Sequence, residues 1–69
     1  MGEFVATLRG RVQDVQRDIR QAGRDADGYH EQLHSGRLLD LLAVARRHDV
    51  DVTGWVDPDI LVTLPEGNG

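Results

Sequence analysis

Val5-x-x-Leu8-x-x-x-Val12-x-x-Val15-x-x-x-Ile19-x-x-Ala22 is the stretch that decides the fold. Its apolar residues recur at intervals of three and four, the a/d rhythm of a helix seam. With Val5 at a, the d positions are Leu8, Val15 and Ala22, and the other a positions are Val12 and Ile19. Phe4 and Ala6 widen the stripe at its start, while Arg9, Gln13, Asp14, Gln16, Arg17, Asp18, Arg20 and Gln21 form the polar side. A helix with one such stripe lies against another helix.

The chain has 69 residues, and a chain of that length buries only about 60% of the surface its unfolded form exposes. Small domains add disulfides, a metal or a partner chain. Cysteine is absent, which excludes disulfides and thiolate metal sites. Self-association, a partner protein, or a metal held by His and carboxylates remain. Burying Val5, Leu8, Val12, Val15 and Ile19 stabilises by about 1.5–3 kcal/mol each, and one hairpin covers only part of that stripe. The expected fold is therefore all-α: a helical hairpin with a heptad seam plus a short C-terminal element, assembled as a dimeric helix bundle. Val5, Leu8, Val12, Val15, Ile19 and Ala22 are the expected oligomer interface of a coiled coil or four-helix bundle, in a homo-dimer or homo-tetramer.

The seam count stays in phase through Ala26, Tyr29 and Leu33. One helix to Leu33 would fit it, placing Tyr29 and Leu33 inward and His30, Glu31 and His34 toward solvent. Composition favours a break, because Gly23-Arg24-Asp25-Ala26-Asp27-Gly28 is the poorest helix-forming stretch. Gly23 suits the left-handed C′ position, and Asp25 or Asp27 an N-cap. The turn is preferred, since it lets the chain cover its own stripe. From Ala26 to His48 the apolar residues form two sets, Tyr29 with Leu33 and Leu38, Leu41, Leu42 with Ala45, on nearly opposite faces. The segment is either one helix apolar on two sides or two helices broken at Ser35-Gly36. Arg46-Arg47-His48 suits a helix C-terminus.

Asp57-Pro58 starts a short helix well, although Ile60 to Leu64 could also be a strand, and Trp55 is expected to pin the tail to the helices. Residues 1–65 form a single small helical domain and 66–69 a flexible tail.

All eight basic residues are Arg, and nine of the twelve acids are Asp. The net charge of −4 weighs against nucleic acid and anionic membranes. The Arg9, Arg17, Arg20, Arg24 face keeps a DNA-binding regulator as a third reading. No apolar run reaches the ~18 residues that span a bilayer. No signal peptide is expected, and Ala6 stands where a myristoylation site needs Ser or Thr. The cytoplasm is the default location.

His30-Glu31-Gln32-Leu33-His34 is the one chemical motif, an H-E-x-x-H. Two His at i and i+4 share a helix face and can bind Zn²⁺ while the Glu activates the metal-bound water. Over these five residues the chain resembles the zincin metalloproteases. That resemblance implies a zinc-dependent hydrolase or metal-binding protein using His30, Glu31 and His34. The longer family pattern is not kept: Arg37 and Asp40 stand where metzincins have Gly and a third His. A downstream carboxylate ligand would have to be Glu66, Asp57 or Asp59. Glu31-x-x-His34 also has the i, i+3 spacing of di-iron bundles, but the other Glu near a helix is the distant Glu3. The preferred reading is a non-enzymatic oligomerisation or protein–protein interaction module, a small regulator or assembly factor, with no catalytic residues and no cofactor.

Overall fold

The computed structural model describes residues 2–64, in the order α1 (Gly2–Arg24), α2 (Gly28–Arg47) and α3 (Pro58–Leu61). Helices α1 and α2 form a hairpin, and residues 50–64 lay a tail along one of its sides. The described residues contain no strand, so Ile60 and Leu61 are helical. No helix among them is long and apolar enough to cross a membrane. The expected tail of residues 66–69, with Glu66, lies outside the described residues.

Both long helices end in the same way. At α1, Asp27 N–H donates to Ala22 O (2.9 Å) and Ala26 N–H to Gly23 O (3.1 Å). This is the paired bonding of a Schellman motif. Ala26, not Gly23, occupies the left-handed position, with φ of 55°. At α2, Val50 N–H donates to Ala45 O and Asp49 N–H to Arg46 O, with Asp49 at φ 57°. Asp27 then caps α2, its carboxylate accepting the His30 N–H at 3.1 Å. The chain thus turns after α1, which restarts the helical phase. Tyr29 and Leu33, which a seam kept in phase would place inward, are 73% and 42% exposed.

The break at Ser35-Gly36 does not occur. Ser35 is buried, and its hydroxyl donates to Glu31 O at 2.9 Å, one turn back, so α2 runs through unbroken and is apolar on two sides.

The core consists of Leu8, Val12 and Ile19 of α1, Leu38 and Ala45 of α2, and Trp55 and Ile60 of the tail. Val15, Leu41, Leu42, Val50, Val52, Val56 and Leu64 pack around it. This corrects the expectation of a coiled coil joining two copies in a four-helix bundle as a homo-oligomer. Among the described residues there are three helices, not four, and the chain itself covers Leu8, Val12, Ile19 and Ala22. Val15 is half-buried and Val5 is 38% exposed. The residue that replaces them in the core is Gln16, expected on the polar side and found 3% exposed. A seam facing one partner helix is narrow. A helix covered from two sides, here by α2 and by the tail, buries a wider a/d/e stripe.

Ala26 in a left-handed conformation costs about 1 kcal/mol that glycine would not incur. Ala26→Gly is expected to stabilise the domain by about 0.5–1 kcal/mol, read as a higher urea midpoint at unchanged m-value.

Candidate functional site

Three places on the surface gather side chains that could act: the motif on α2, the fastening of the tail, and the open side of the hairpin.

The structure separates the members of His30-Glu31-x-x-His34. His30 is tied to the helix cap, with Nδ1 2.6 Å from Asp27 Oδ2. The His30 and His34 rings stack, with centroids 6.2 Å apart and planes inclined by 30°. Both line a cleft of about 200 Å³ with Asp18, Asp25 and Asp27. Glu31 points elsewhere. It lines a different cleft with Gln32, Ser35, Gly36 and Thr63, and its Oε2 lies 3.6 Å from where a Cβ on Gly23 would stand. Asp57 and Asp59, the possible further ligands, are bound to Arg20 instead. Among the described residues, no three His, Asp or Glu are placed to hold a metal ion. His34 Nδ1 is buried without a hydrogen-bond partner.

The second place was not anticipated from sequence. The Gln16 amide is buried between α1 and the tail. Its Nε2 donates to Trp55 O at 2.8 Å, and its Oε1 accepts the Asp57 N–H at 2.9 Å. One turn further along, Arg20 forks onto two tail carboxylates, at 2.6 Å from Asp57 Oδ2 and 3.0 Å from Asp59 Oδ1. Asp57 begins α3 with extended backbone and makes no side-chain cap bond, because its carboxylate is engaged by Arg20. Arg9 lies over the Trp55 ring, 5.9 Å from its centroid. The Arg face that kept the DNA-binding reading is therefore committed within the chain. Arg17 pairs with Asp14 and Arg24 donates to Gln21. The arginine spacing was visible in the sequence, but the tail partners were not.

The third place is a groove of about 340 Å³ between α1 and α2, on the side away from the tail. Its apolar lining is Val15, Leu41 and Val44, and its rim is Arg11, Asp14, Arg37 and Asp40. Along α2, Tyr29, Leu33, Arg37 and Leu41 follow at four-residue spacing, so the exposed Tyr29 and Leu33 extend the same side of the helix toward the hairpin turn.

Replacing Gln16 by Leu would keep most of the packing volume but strand Trp55 O and Asp57 N–H. An unsatisfied buried polar group costs about 1–3 kcal/mol. Gln16→Leu is expected to destabilise by that order, with Trp55 fluorescence changing at lower urea than helical circular dichroism. Coincident, unshifted transitions would count against the fastening role.

Acid should loosen the same contacts. The Arg20 guanidinium hydrogen-bonded to Asp59 holds that carboxyl below its usual range. The His30 backbone N–H, then its ring, does the same for Asp27, and the Thr53 hydroxyl, then its amide, for Asp51. A carboxyl with a depressed folded pKa stabilises the fold above its unfolded pKa, about 3.9, and loses that contribution as pH falls through the folded value. Tm is expected to fall below about pH 4, with a shallower fall in the double variant Asp27→Asn, Asp59→Asn. An identical fall in both proteins would reject these groups as its source.

Compared with known proteins, the chain stands apart: no protein-family model, no curated protein and no solved structure matches it.

Proposed function

We propose that this chain is a protein–protein interaction module whose contact surface is the open side of the α1/α2 hairpin. The observation that carries the proposal is the two-sided apolar character of α2. One side, with Leu38 and Ala45, is enclosed by α1 and the tail. The other offers Tyr29, Leu33 and the groove lined by Leu41 and Val44. A surface helix normally carries one apolar stripe, and a second one exposed to water gains by being covered. Full burial of a Leu or Val side chain is worth about 1.5–3 kcal/mol, so these positions hold substantial free energy for association. The self-association expected through the α1 seam is not part of this reading, because those residues form the chain's own core. The module acts by shape and surface chemistry, as a small regulator or assembly factor would.

A photo-crosslinking amino acid placed at Leu33 or Val44, in the cell that makes the protein, tests the reading. A discrete protein adduct is expected from both positions and none from Gln13, which is exposed on α1 beside the tail, away from the groove. Equal adducts from all three, or none, would reject the surface. Leu33→Asp provides the structural control: Tm and helicity should stay close to the parent, because a surface substitution away from packing moves stability by about 0.5 kcal/mol or less.

A further inference from the structure

No further inference is drawn: the strongest candidate, the open apolar groove between α1 and α2 lined by Val15, Leu41 and Val44, carries two Arg and two Asp on its rim, and nothing in the structure shows what covers it.

Discussion

The buried amide of Gln16 is the contact on which the rest of the tertiary structure depends. A 15-residue tail (50–64) with one short helix has little regular structure of its own, and α3 spans only four residues. Apolar burial of Trp55 and Ile60 supplies attraction but little direction. Gln16 supplies the direction, because its donor and its acceptor bind backbone groups on either side of Val56. The tail can satisfy both only in one register. With that register fixed, Asp57 and Asp59 fall beside Arg20 and Trp55 falls beneath Arg9.

Placing the tail on one side of the hairpin has a structural consequence on the other. The chain is long enough to form two helices and one covering layer, and no described element remains for the second apolar side of α2. The domain therefore closes its core without a second copy and still leaves a trough with mixed charges on its rim. The same economy explains why α1 buries a broader stripe than a two-helix seam would require. Its Gln16 edge is covered by the tail, while Val15 at the opposite edge reaches the open groove.

The H-E-x-x-H motif shows how far spacing carries chemistry. Five residues on a helix put His30 and His34 on one side, as the spacing requires. What they then face depends on the neighbouring elements. Here His30 is drawn into the α2 cap by Asp27, and Glu31 opens into a separate cleft beside the tail. The motif's side chains are present without a common point at which to meet.

Sequence alone determined the helical character of α1, and it favoured the turn between the two long helices, the start of the short helix at Asp57-Pro58, and the role of Trp55 in holding the tail. Each of these follows from local periodicity, from capping and turn chemistry, or from the burial demand of one large aromatic. Sequence could not determine that Ala26 rather than Gly23 would take the left-handed position, since both lie within one turn of the helix end. It also could not show which apolar side of α2 would be covered, that Gln16 would be interior, or that the α1 stripe would be closed within one chain. Those outcomes depend on residues about 40 positions apart, Gln16 with Trp55 and Asp57, and Arg20 with Asp57 and Asp59. Helical periodicity states which residues share a face. Only the packed tail decides which face is taken and which is left open.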